Sequence, residues 1–197
     1  MLENNGRCRR GSWREWGQVR PKDRTIVGDE LRNHRSGIPR RCSPACVAMA
    51  LCAVAALEPH VREIAIVAAD DAPKVLGVPV LLDLVPGRGP LGGMVTVLER
   101  SLRKGDVGAL VLACGLPLVD ATLIASLVAA WAGEDVVAPI WKGRLQPLCA
   151  LWCVSALSAA REALVKEQLS VLALVARLRL RVVAEGEWRY PVEPLSH

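Results

Sequence analysis

The 197-residue chain contains no phenylalanine and one tyrosine, and with six tryptophans its aromatics reach only 4% of residues. Its core must therefore be built from aliphatic side chains, which the 52% hydrophobic fraction supplies. With only 23% charged residues, this balance excludes an intrinsically disordered chain, which lacks apolar surface to bury. No apolar run reaches the roughly 18 residues of a membrane span; the longest, Ala45 to Leu57, covers 13. The N-terminus lacks a secretory pattern, because charged sequence precedes that run. Neither GxxxxGK[ST] nor GxGxxG occurs, and His34, His60 and His197 have no serine or aspartate pattern suggesting a triad. The seven cysteines are odd in number and contain no CxxC pair. Cys42 with Cys46, and Cys149 with Cys153, have the spacing of small core residues on a helix rather than of zinc ligands. They read as reduced thiols, and the protein as soluble and cytoplasmic with no membrane partner.

What charge there is lies unevenly. Residues 1–41 carry 11 Lys/Arg against 5 Asp/Glu, a balance of +6, whereas 42–197 carry 14 against 15. The chain thus divides into a basic, atypical segment 1–41 and a domain 42–197. A basic arm attracts phosphate or nucleic acid, but this one has no aromatic interleaving and no nucleic-acid motif, so nucleic acid is not expected as a partner.

Beyond Arg41, apolar runs of strand length alternate with helical ones. Strands are expected at Glu63–Asp70, Val78–Asp83, Val107–Cys114, Asp135–Trp141, Leu145–Cys153 and Leu178–Ala184. Helices are expected from Pro44 to Glu58, Met94–Leu102, Asp120–Trp131, Ser158–Glu167 and Leu169–Arg177. Strands apolar along their length are buried on both faces, as in parallel sheets. The expectation is a three-layer, Rossmann-like α/β fold with a mostly parallel sheet.

The segment Leu84–Gly93 packs four glycines and two prolines between a strand ending in Asp83 and a helix. Glycines permit close approach of a ligand, and amides at a helix start favour an anion. Together, Val78–Glu99, Ala109–Leu127 and Val136–Trp152 resemble the molybdenum cofactor guanylyltransferase family of nucleotidyltransferases. In that family a strand ending in Asp is followed by GPLxG, then by a strand running into CDxP, then by xPLxAL. The resemblance implies transfer of GMP from GTP to Mo-molybdopterin with Mg²⁺. It implies nucleotide contacts from Asp83, Gly89, Pro90, Leu91, Gly92 and Gly93, and a pterin-side segment at Gln146 and Pro147. A molybdopterin cytidylyltransferase shares part of the pattern.

Three departures point to a second reading, a catalytically inactive descendant. Gly115 stands where the family has its metal-ligating Asp, so no metal ligand is assigned; Asp120 reads as a helix cap. The closing NxNTPE-type segment is missing. The family's LAGGxSxRMGxDK loop is matched only by Ser12, Arg14, Gly17 and Lys22, with no apolar strand ahead of it; Lys22 is the catalytic candidate.

The genetic code adds one constraint. Read one nucleotide later, Trp13-Arg14 and Trp16-Gly17 must each encode Gly, Glu15-Trp16 encodes Asn or Ser, and Gln18-Val19 and Lys22-Asp23 encode Lys or Arg. The shifted reading approaches GGxxxRxGxxK, so residues 1–41 read as an out-of-register translation of a phosphate loop. Sequencing the gene region is expected to find a frame in which an intact LAGG loop joins the Ile64 strand; finding none removes the idea.

Overall fold

The computed structural model describes residues 25–28, 44–68, 77–113, 116 and 119–188, with backbone alone at 25–28 and 44–49. Its strands are β1 (Thr25–Gly28), β2 (Glu63–Ala68), β3 (Val80–Leu82), β4 (Gly108–Leu112), β5 (Val136–Trp141), β6 (Arg144–Leu145), β7 (Cys149–Cys153) and β8 (Leu180–Val183). Its helices are α1 (Pro44–Leu57), α2 (Gly89–Lys104), α3 (Ala121–Ala130), α4 (Leu157–Val165) and α5 (Val171–Val175). No helix among the described residues is long and apolar enough to cross a membrane.

The strands form one sheet in the order β3-β2-β1-β4-β7-β5-β6, with β8 paired to β5. β1 lies between β2 and β4 and runs parallel to both, Thr25 aligning with Glu63 and Ala109. It comes from within residues 1–41, so the sheet draws on both sides of the Arg41 composition break.

The sheet is mixed, which corrects the expectation of a mostly parallel one. β1, β2, β3 and β4 run together and β8 runs with β5, but β7 is antiparallel to β4 and β5, and β6 is antiparallel to β5. Burial on both faces reports helices above and below a strand and carries no information about its direction. Reversal comes from the Lys142-Gly143 turn, where both residues have positive φ (49° and 70°), the conformation of a tight hairpin. The expected single strand Leu145–Cys153 is therefore two, interrupted at Gln146-Pro147-Leu148.

Strand periodicity sorts the core into two layers. Leu110, Leu112, Val137, Cys149 and Leu151 face α1 and α3, packing on Leu57, Leu123 and Leu127. Their neighbours Val111, Val136, Ala138, Ala150 and Trp152 face α2 and α4, packing on Leu91, Met94, Leu98 and Leu157. Trp152 is fully buried and its indole N–H donates to the Pro147 carbonyl at 2.9 Å. Where β4 meets β7, a Cβ on Gly108 would lie 2.2 Å from the Trp152 carbonyl oxygen, so only glycine permits that pairing.

At the N-terminal end of β5, Asp135 accepts from the Arg179 side chain at 2.8 and 3.1 Å, from the Arg179 amide at 3.1 Å, and from Ser155. Burial alone would raise its carboxyl, but the hydrogen bonds and charge of Arg179, with the Ser155 hydroxyl, outweigh it and hold the group below its ordinary value. A depressed native value means stabilisation present above the unfolded value of about 3.9 and lost as pH falls through the native one. Asp135→Ala is expected to lower unfolding free energy at pH 7 by about 2–4 kcal/mol. Urea titrations should show the gap between variant and parent narrowing below about pH 4; a gap constant down to pH 2 would contradict this.

Candidate functional site

Because β1 to β4 are parallel, Gly28, Ala68, Leu82 and Leu112 all end at one edge of the molecule. Ligands of open α/β sheets bind beyond that edge. Asp83 continues the β2 pairing there, its amide donating to Ala68 O at 2.9 Å. Its carboxylate then folds back on the chain that follows. Oδ1 accepts from the Val85 amide and from the Thr96 hydroxyl, each at 2.9 Å. Thr96 Oγ1 accepts in turn from the Leu84 amide at 2.9 Å. Two consecutive loop amides and one buried threonine of α2 are thereby tied to a single carboxylate.

Gly92 completes this clasp. A Cβ at Gly92 would lie 2.7 Å from Val85 O and 3.1 Å from Asp83 Oδ2, so the loop can rest on the helix only at a glycine. The structure also shifts the expected boundary: Gly89–Gly93 is the first turn of α2 rather than the loop before it. Pro90 suits a helix start, and burial of Leu91 offsets the weak helix propensity of the glycines. No side chain caps this helix; of its first turn Pro90 has no amide hydrogen and Leu91, Gly92 and Gly93 are buried, which leaves the half-buried Gly89 at its open end.

Gln146 and Pro147 stand beside the end of β4. The Ala113 amide donates to Leu148 O at 2.7 Å, and the Gln146 amide to Pro139 O at 2.9 Å. The Gln146 side chain donates to Arg144 O at 3.1 Å. Buried Trp152 holds the segment through Pro147, as described above. Three strand spacings, about 14 Å, separate the ends of β3 and β4.

Other candidates are not brought in. Lys22, Cys114 and Gly115 lie outside the described residues. Asp120 caps α3, accepting from the Leu123 amide at 2.8 Å, as its position in sequence suggested. Among the described residues no group of three or more His, Cys, Asp or Glu side chains could hold a metal. Burial pushes the Cys149 thiol up to about 12, so it is neutral at physiological pH and unsuited to bind metal or attack a substrate. Sequence reasoning missed Thr96, whose one signal is a hydroxyl inside the apolar run Met94–Leu98.

Helices packed on both faces of this sheet make a three-layer α/β fold, and solved structures share it. A protein of Aquifex aeolicus VF5 superposes with a TM-score of 0.68 at 19% identity, over 85% of this chain and 89% of its own. Molybdopterin-guanine dinucleotide biosynthesis protein A of Archaeoglobus fulgidus superposes at 0.64 and 19%, over 83% and 84%. The family described as the MobA-like NTP transferase domain matches residues 47–182, and the chain belongs to it. A probable molybdenum cofactor guanylyltransferase of Bacillus licheniformis is 34% identical over 107 residues, 53% of each chain. One of Carboxydothermus hydrogenoformans is 26% identical over 127 residues, 64% of this chain and 63% of its own. The chain spans between about half and two thirds of the length of these curated relatives.

Thr96→Val removes the donor to Asp83 and the acceptor of the Leu84 amide while keeping the side-chain shape. It is expected to cost about 1–3 kcal/mol of unfolding free energy. Chemical denaturation checks this, and an unchanged midpoint would show that the clasp does not hold the turn.

Proposed function

We infer that this chain is a nucleotidyltransferase that transfers GMP from GTP to Mo-molybdopterin, giving the guanine dinucleotide cofactor and pyrophosphate. The observation that carries this reading is the uncapped, glycine-rich start of α2, fixed by the Asp83–Thr96 clasp at the carboxyl ends of the parallel strands. In such a transfer a phosphate oxygen of molybdopterin forms a bond to the α-phosphorus of GTP as the bond to the β-phosphate breaks and pyrophosphate leaves. The start of α2 would receive charge on the nucleotide, Gly89, whose Cβ position is open, giving close backbone approach and Asp83 with Gly92 holding the turn beneath it. Gln146 and Pro147 stand on the side proposed for the pterin.

Mg²⁺, which the family resemblance implies, does not fit the described residues: Asp83 and Asp120 are occupied with backbone amides, and no acidic cluster accompanies them. Gly115 offers no ligand, and Lys22 precedes β1 in sequence, whereas the family's loop follows its first strand. These features favour a second reading, a nucleotide-binding relative with little or no turnover. Both readings require GTP to bind, and calorimetry on the full chain is expected to show it. Gly115→Asp, joined to an in-register N-terminus, is expected to raise product formation about 100-fold. Turnover by the parent supports transfer, GTP binding without it the second reading; no GTP binding contradicts both.

A further inference from the structure

β3 is the last strand on its side of the sheet, bonded to β2 on one side and open on the other. Successive residues of a strand turn their backbone groups to opposite sides. The Ile66 amide donates to Pro79 O and the Asp83 amide to Ala68 O, both at 2.9 Å, so Pro79, Leu81 and Asp83 face β2. Val80 and Leu82 therefore present N–H and C=O outward, where no other described residue pairs with them. Sheet edges are ordinarily blunted by lysine, proline or a bulge. Here the stretch Gly77 to Leu82 has no charged residue, and Pro79 turns its ring nitrogen to the β2 side, which leaves the outer edge intact. The Asp83 carboxylate is folded back on Val85 and Thr96. The side chains along the edge are apolar as well. Leu82 is 64% and Leu84 54% exposed, whereas Leu81 on the opposite face packs on Val67, Val97 and Ala109.

This edge is complementary to itself. In an antiparallel pair centred on Leu81, Val80 stands opposite the partner's Leu82, and each exchanges both of its outward backbone bonds with the other. The same register sets the Val80 side chain beside the partner's Leu82, so exposed leucine is covered by apolar surface and no charge is left facing it. We propose that β3 is a self-association edge, two copies of the chain pairing antiparallel along Val80–Leu82 and joining their sheets across a twofold axis. The contact closes at two copies, because the same patch serves both and the far end of the sheet, β6, offers only Arg144–Leu145. A strand of 3 residues covers less than a standard interface, so the dissociation constant is expected to be on the order of 10 µM. The paired strand runs directly into Asp83, so association also braces the strand end from which the glycine-rich turn departs.

Sedimentation of the full chain from about 1 to 300 µM is expected to show a reversible monomer–dimer equilibrium. Leu82→Lys places a charge on the apolar edge, and Val80→Pro removes an outward donor while sparing the β2 ladder. Each is expected to weaken the dimer about tenfold or more. At a dilution where the parent is monomeric, thermal midpoints of both variants should lie within about 3 °C of it, which excludes unfolding as the cause. Amide hydrogen exchange reads the contact directly. Val80 and Leu82 should exchange slowly in the dimer and rapidly on dilution, whereas Leu81, bonded to β2, stays protected in both. A chain that is monomeric over the whole range overturns the proposal. So does a dimer that survives Leu82→Lys with Val80 and Leu82 unprotected, a result that would move the contact to another surface, such as exposed Leu51 and Cys52 of α1.

Discussion

One carboxylate determines where the glycine-rich turn stands. Asp83 Oδ1 receives the Val85 amide and the Thr96 hydroxyl, Thr96 receives the Leu84 amide, and Gly92 lets the loop lie on the helix without a side chain between them. This couples the end of β3 to the second turn of α2 at the point where a rigid edge is needed to aim backbone amides. The same bonds limit Asp83 chemically. One of its oxygens is engaged twice and the other lies over Gly92, so its contribution to a ligand passes through the geometry it imposes.

The two ends of the sheet divide the work. At the N-terminal end of β5, Asp135, Ser155 and Arg179 form a satisfied charged cluster that joins β5, the segment after β7 and the start of β8. Among the described residues at the carboxyl end, the Asp83 carboxylate bonds to a loop rather than to another charge. Buried charges that are fully paired hold a structure, whereas uncapped amides and solvated pairs leave capacity for a ligand. The mixed sheet contributes as well. Because β7 returns antiparallel, α4 ends beside the start of α2, and Glu167 comes within reach of Arg88.

Much of this was legible in the residues. Strand runs around Ile64, Val80, Leu110, Val136 and Val182 fall where apolar character placed them, and Asp120 caps its helix as its sequence position suggested. The direction of β7 was not legible, because Cys149–Cys153 is buried on both faces and direction is set by a turn and by which neighbour accepts pairing. β1 escaped because four residues, Thr25–Gly28, give too short a run to stand out in a charged segment. The start of α2 was placed five residues late, because glycine and proline argue against a helix unless tertiary packing, here through Leu91 and Gly92, decides otherwise. The Arg88–Glu167 pair joins residues 79 positions apart, a separation that no local pattern encodes.

The central claim is that the first turn of α2 is the phosphate-receiving element. Amide hydrogen exchange of the full chain with and without GTP tests it residue by residue. Exchange at Arg88, Gly89 and Leu91 should slow when GTP is present, while that of the Asp135 cluster at the far end of the sheet stays the same. Protection that leaves the α2 start unchanged while GTP is bound would place the phosphates elsewhere and contradict the account.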